Sequence, residues 1–221
     1  MARLQLYIGN KNYSSWSMRA WVLLRQAGIP FEEVMLKFGE DGRPKGIEGH
    51  SPTRKVPVLK IDGEPVWETL AIAETVAEMF SEKKLWPADP AARRHARAVT
   101  AEMHSGFQSL RDSMAMNIRA RHPDKGRTPQ TMKDIERIVE LWTECRTRFG
   151  KGGELLFGSF TIADAFYAPV VTRFETYVVA LPPAAQAYCE AVKALPAMRE
   201  YRDAALRETE FVAADEPYAT R

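Results

Sequence analysis

The chain has 221 residues, enough for one large domain or two small ones with a buried core. Apolar residues make up 45% and charged residues 27%, as in ordinary water-soluble globular proteins, and no apolar run is long enough to span a bilayer. Lys and Arg number 31 against 29 Asp and Glu, so the formal charge of +2 gives no reason to expect a nucleic-acid or membrane-surface partner. The densest basic run, Arg93-Arg94-His95-Ala96-Arg97, reads as a solvated helix face. Cys145 and Cys189 lie far apart in helical contexts, outside any CxxC or Cys/His spacing. Both are therefore expected to be reduced, in a cytoplasmic protein. His50 and His104 lack partners at ligand spacing, so no metal is expected. The chain opens with Arg3 and strand-like alternation, not a leader-peptide pattern.

Leu4 to Ile8 alternates as a strand does. After a loop at residues 9–12, Tyr13-Ser14-Ser15-Trp16-Ser17-Met18-Arg19 leads into an apolar helix reaching about Ala27, with Gly28 placed to end it in a left-handed cap. Pro30 to Leu36 is a second strand, and the strand–helix–strand order implies a parallel pair. Residues 39–55 are rich in Gly and Pro and read as a long loop. Val56 to Ile61 is β-branched, Asp62-Gly63 is a two-residue hairpin signal, and Glu64 to Trp67 returns. From Thr69 the period becomes helical, with Leu70, Ile72, Ala73, Val76, Ala77 and Phe80 on one face. Residues 1–80 are thus expected to form an α/β thioredoxin-like unit.

Residues 81–90 turn polar and proline-rich, and are expected to be a linker. Residues 91–221 carry no strand signal and are expected to be an all-α helical bundle. Ala96, Val99, Met103, Phe107, Leu110 and Met114 follow helical spacing as one element. Ile135, Ile138, Val139, Trp142 and Phe149 form another, after a break between Arg121 and Pro129. Their Met and aromatic stripes read as core. Thr161 with Asp164 three residues on is a capping box, which gives Asp164 a structural role. Further helices start at Pro182-Pro183 and Pro196, and the tail from Phe211 is poorly patterned, so it drapes or frays.

The stretch Lys55 to Thr69 carries the chemistry. Pro57 turns the chain and leaves the backbone of Val56 free to pair with an extended ligand. Glu68 offers a carboxylate for an ammonium. Thr69, at a helix N-terminus, offers a hydroxyl and N–H groups to a carboxylate. Lys55 can meet a second carboxylate. Glutathione has all of these features. The run "KVPVLKIDGEPVWET" resembles the glutathione-binding half of a glutathione transferase. That resemblance implies a cis peptide bond before Pro57, the cysteinyl part of glutathione on Val56, and its γ-glutamyl end on Glu68 and Thr69.

A glutathione transferase stabilises the thiolate of its co-substrate, and one hydroxyl at a helix N-terminus suffices. Tyr13, Ser14, Ser15 and Ser17 are the candidates, and by residue type alone the serines are also ordinary helix caps. "SSWSMR" resembles the zeta-class pattern Ser-Ser-Cys-Ser-x-Arg, and also a broad group of bacterial serine-type transferases. The resemblance makes Ser14 the catalytic hydroxyl and Ser15 its support. Trp16 stands where the class has a cysteine, which tells against cysteine-assisted isomerase chemistry. The electrophile is expected between the two domains, against the loop at Lys11-Asn12, Phe107, Arg111 and Met114 of the first bundle helix, and Arg173. The resemblance further implies transfer of alkyl or aryl groups to glutathione in detoxification, a homodimer, and no metal, nucleic-acid or membrane partner. A maleylacetoacetate-type isomerase and a non-catalytic binding module of the same fold are the alternative readings.

Overall fold

A computed structural model describes residues 2–219. Residue 1, assigned above to the first domain, and residues 220 and 221, assigned to the second, lie outside the described residues. Strand β1 (Leu4–Ile8) leads to helix α1 (Ser15–Gln26), β2 (Glu32–Met35), β3 (Val58–Ile61), β4 (Glu64–Trp67) and α2 (Thr69–Met79). The sheet order is β2-β1-β3-β4, with β1 and β2 parallel and the other pairs antiparallel. This is the thioredoxin-like topology. Leu6, Ile8, Val58 and Leu59 of the two central strands are fully buried. Helix α1 ends as expected: Gly28 has φ +66°, its N–H donates to the carbonyl of Arg25, and the N–H of Ile29 donates to that of Leu24. Strand β2 is shorter than the run from Pro30 to Leu36: the register with β1 covers Glu32–Met35, and the Leu36 N–H donates the last bond, to the Ile8 carbonyl at 2.8 Å. Pairing in β3 begins at Val58, after a proline that has no N–H to give.

The remainder is helical: α3 (Pro90–Ser105), α4 (Gln108–Ser113), α5 (Pro129–Phe149), α6 (Ile162–Thr176), α7 (Pro183–Ala194) and α8 (Pro196–Leu206). None of the described helices is long and apolar enough to cross a membrane. The single helix expected through Met114 is broken. Gly106 ends α3 and Phe107 sits at φ +60° before α4 begins. A Cβ on Gly106 would lie 2.8 Å from the carbonyl oxygen of Glu102, so only glycine fits there. Arg111 then reaches back, and its guanidinium donates to the carbonyls of Gly106 and Met103 at the open end of α3.

Helix α6 is the axis of this half, buried along nearly its whole length and packed on α1, α3 and α7. Its start depends on Asp164. One carboxylate oxygen accepts from the N–H and hydroxyl of Thr161 at 2.9 and 3.0 Å. The other accepts from the N–H of Leu156 at 3.1 Å and the hydroxyl of Tyr188 at 3.2 Å. Burial pushes the Asp164 carboxyl up to about 6, against the four donors that pull it down. All four groups are donors, so an amide would turn its own N–H groups against two of them. Asp164→Asn is expected to destabilise the protein by about 3 kcal/mol with little change in volume, read from the midpoint of urea unfolding.

Candidate functional site

The N-terminus of α1 is built by its serines. Ser14 is the N-cap: its hydroxyl oxygen accepts from the N–H of Ser17 at 3.3 Å and its proton goes to the Ser17 hydroxyl at 2.7 Å. That hydroxyl in turn accepts from the N–H of Gly9 at 3.0 Å, which ties the end of β1 to the helix. Ser15 is the first helical residue, and its oxygen accepts from the Arg173 guanidinium at 3.3 Å.

Beside this helix end lies a cavity of about 220 Å³ lined by Trp16, Thr53, Lys55, Val56, Pro57, Glu68 and Thr69. The Val56–Pro57 bond is cis. Among the described residues, the backbone groups of Val56 have no main-chain partner. Glu68 is held at φ +67°, an uncommon conformation for a side chain with a Cβ. Its carboxylate lies 3.8 Å from Nε2 of His104, whose Nδ1 is 3.4 Å from the Thr69 hydroxyl. Burial first, and then the charge of Arg19, hold His104 below its ordinary range. Near neutral pH His104 is therefore a neutral imidazole beside Glu68.

A second cavity, of about 350 Å³, is lined by Ser14, Ser15, Trp16, Phe38, Arg111, Met116, Arg173 and Asp215, among others. Trp16 is the wall between the two cavities. The guanidinium groups of Arg19 and Arg111 stand 4.2 and 4.9 Å from its ring centre. Arg19 is fully buried, and none of its guanidinium nitrogens has a hydrogen-bond partner among the described residues. Burial and the neighbouring charges of Arg111 and Arg173 depress it strongly. Burial draws Arg173 down to about 10, which still leaves it a cation near neutral pH.

Three of the residues expected around the electrophile stand elsewhere. Asn12 is fully buried, with its amide donating to Asn117 at 2.9 Å and its carbonyl oxygen accepting from the N–H of Arg119 at 2.9 Å. Phe107 is the hinge between α3 and α4. Met114 is buried, and only its carbonyl meets Arg173, at 2.7 Å. Met116, Phe38 and Asp215 take the places expected of them. Burial pushes the thiols of Cys145 and Cys189 up to about 12, too high for a nucleophile. Among the described residues, no three His, Cys, Asp or Glu side chains cluster as metal ligands do.

The tail past α8 drapes over the site as a strap. Glu208 accepts from the N–H groups of Lys11 and Asn12 at 2.6 and 3.1 Å. Tyr13 donates to Glu216 at 2.7 Å and accepts from Arg119 at 2.7 Å. Tyr218 donates to the carbonyl of Ser113 at 2.8 Å. These bonds carry Asp215 to the mouth of the second cavity.

A thioredoxin-like half that presents a cis-proline groove, closed by an all-α half, is the architecture of proteins that bind a thiol peptide. Residues 13–79 match the family model for the glutathione S-transferase N-terminal domain, and residues 89–204 match that for the C-terminal domain. The chain is 31% identical over 180 residues to a probable maleylacetoacetate isomerase of Caenorhabditis elegans, covering 80% of this chain and 82% of that one. It is 28% identical over 177 residues to a maleylacetoacetate isomerase of Rattus norvegicus, covering 77% and 78%. Its fold is similar to that of a Burkholderia glutathione transferase homolog crystallised with bound glutathione, with a TM-score of 0.70 at 23% identity over 92% of this chain and 98% of that one. The chain belongs to the glutathione S-transferase family.

The Glu208 contacts hold the main chain of the loop before α1, beside the side-chain bond of Tyr13 to Glu216. Glu208→Ala is expected to speed exchange of the Lys11 and Asn12 amide hydrogens on the order of tenfold or more. Unchanged exchange at those two amides would mean that Glu208 does not hold the loop.

Proposed function

We propose that the chain binds glutathione along Lys55, Val56, Pro57, Glu68 and Thr69, and presents its thiolate to a small electrophile in the second cavity. In this reading it transfers alkyl or aryl groups to glutathione. Glu68 takes the γ-glutamyl ammonium, and the Thr69 hydroxyl with the α2 N-terminus takes the adjoining carboxylate. Val56 pairs with the cysteinyl amide, and Lys55 meets the glycyl carboxylate. The thiol then reaches the Ser14–Ser15 end of α1, where a hydroxyl and the helix dipole favour its charged form and the proton leaves to solvent. The thiolate attacks the electrophile and forms the carbon–sulfur bond; in substitution the leaving group departs with its bonding electron pair, and in addition a proton from solvent completes the product. One observation carries this reading: the groove and the second cavity meet at Trp16, beside the serine-capped helix end. The same reading makes residues 1–80 the glutathione domain, 81–90 the linker and 91–221 the electrophile domain. It also implies a cytoplasmic homodimer with a detoxifying role, and a monomeric mass by light scattering would contradict the dimer.

A second reading is glutathione-dependent cis–trans isomerisation. It is supported by the relatives named as maleylacetoacetate isomerases and by the guanidinium groups of Arg111 and Arg173 in the second cavity, which suit a carboxylate-bearing substrate. Product formation without net loss of glutathione would select it over transfer.

Calorimetric titration tests the common premise. Glutathione is expected to bind with release of a proton near neutral pH, and S-methylglutathione to bind without one. Glu68→Gln is expected to weaken both ligands roughly tenfold or more, since it removes a charged partner of the ammonium. Absence of glutathione binding to the unaltered protein would refute the reading.

A further inference from the structure

We propose that Ser15, and not Ser14, is the hydroxyl that donates to the glutathione thiolate, and that Arg173 is its positioning residue, polarising it from α6. The inference rests on the glutathione reading above. It starts from where each hydroxyl proton goes. The Ser14 proton is committed to the Ser17 hydroxyl at 2.7 Å, within the cap that joins Gly9 to α1. Turning it to a ligand would break that bond and loosen the cap. The Ser15 hydroxyl receives a guanidinium N–H on its oxygen and has no acceptor for its own proton among the described residues. It also lines the cavity, at the first position of the helix.

A hydroxyl that accepts a charge-assisted bond becomes a stronger donor on its other side. Arg173 supplies that bond from a fixed place. Its Nε donates to the carbonyl of Met114 at 2.7 Å, and the residue is 4% exposed. Its Nη1 has no partner among the described residues, an unusual state for a buried guanidinium beside a cavity. The charged and titratable groups around it are Arg111 and Arg19, which repel it, and Asp215 and Tyr177, which support its charge. The cation therefore lies one hydroxyl away from the place where the thiolate charge develops. A hydrogen bond to the charged form, backed by a fixed positive charge, lowers the pKa of the thiol. The bond joins α1 to α6, so the thiolate site requires both halves of the chain.

The test follows the ultraviolet absorbance of the thiolate of bound glutathione against pH. Ser15→Ala is expected to raise the bound thiol pKa by about 1 unit or more, Ser14→Ala by less than half as much, and Ser15→Thr to restore the original value. Arg173→Lys is expected to raise the pKa when Ser15 is present and to add nothing in the Ser15→Ala background, the non-additivity of a pair that acts as one unit. S-methylglutathione, which has no thiol to ionise, reports by calorimetry that each variant keeps a folded site. A shift from Ser14→Ala as large as that from Ser15→Ala would overturn the assignment. So would an Arg173→Lys effect of equal size with and without Ser15. If the unaltered protein leaves bound glutathione un-ionised, the transferase reading falls and this assignment with it. If it ionises the thiol and Ser15→Ala does not matter, only the assignment falls.

Discussion

Helix α6 is buried around nearly its whole circumference, so each polar group on it must find a partner inside the protein or go without. Its two buried charges meet this constraint differently. Asp164, at the first turn, has four donors on two oxygens and no spare lone pair directed at open space. Arg173, in the last turn, makes bonds to the Met114 carbonyl and the Ser15 hydroxyl and leaves Nη1 unpaired at a cavity. A fully satisfied buried charge holds a fold together. An incompletely satisfied one beside empty space is kept at a stability cost, and such residues cluster where function needs them. The opposite ends of one helix thus carry one buried charge that is fully satisfied and one that is not.

Trp16 answers a related problem. Arg19 and Arg111 approach the same part of the cleft, and Arg19 is paired with no carboxylate. The indole between them supplies a negative π-face to each, at 4.2 and 4.9 Å. A desolvated cation–π contact is worth on the order of 2 kcal/mol, too little to offset complete burial of a guanidinium. The balance is consistent with the strongly depressed Arg19. Trp16 lines both cavities and so forms the wall between them.

The legible parts of the sequence were those decided by short-range chemistry. Pro57, Asp62-Gly63, Gly28 and the Thr161–Asp164 box each act within a few residues, and each appears in the fold as expected. The break at Gly106–Phe107 was hidden because apolar residues keep their spacing across it: Met103, Phe107 and Leu110 are all buried although the chain changes direction between them. The sequence left open whether the tail drapes or frays, for the opposite reason. The tail is held by polar bonds to residues far earlier in the chain, and such bonds leave no periodicity. Ser15 and Arg173, which are 158 positions apart, are another such pair. Asn12 was placed in the loop of the site but not in its true use, since a buried amide that clasps Asn117 and Arg119 looks in sequence like any loop asparagine.

The strap also brings opposing titrations to the mouth of the site. Burial raises the Asp215 carboxyl to about 6, with Arg173 pulling the other way. Because its folded pKa lies above the ordinary value, Asp215 favours the docked tail most when protonated, and that contribution is lost as the pH rises from about 4 to about 6. Glu210 behaves in the reverse sense. Its bond to Lys37 holds it below the ordinary carboxylate range, so its contribution is present at higher pH and is lost in acid. Its partner Lys37 is 64% exposed, so screening keeps this share small. Asp215 is the more buried of the two and dominates. Across mildly acidic pH the ionisation of Asp215 works against docking of the tail, while the same ionisation places a carboxylate opposite Arg173. The ionised Asp215 carboxylate thus balances the charge of the buried Arg173 guanidinium.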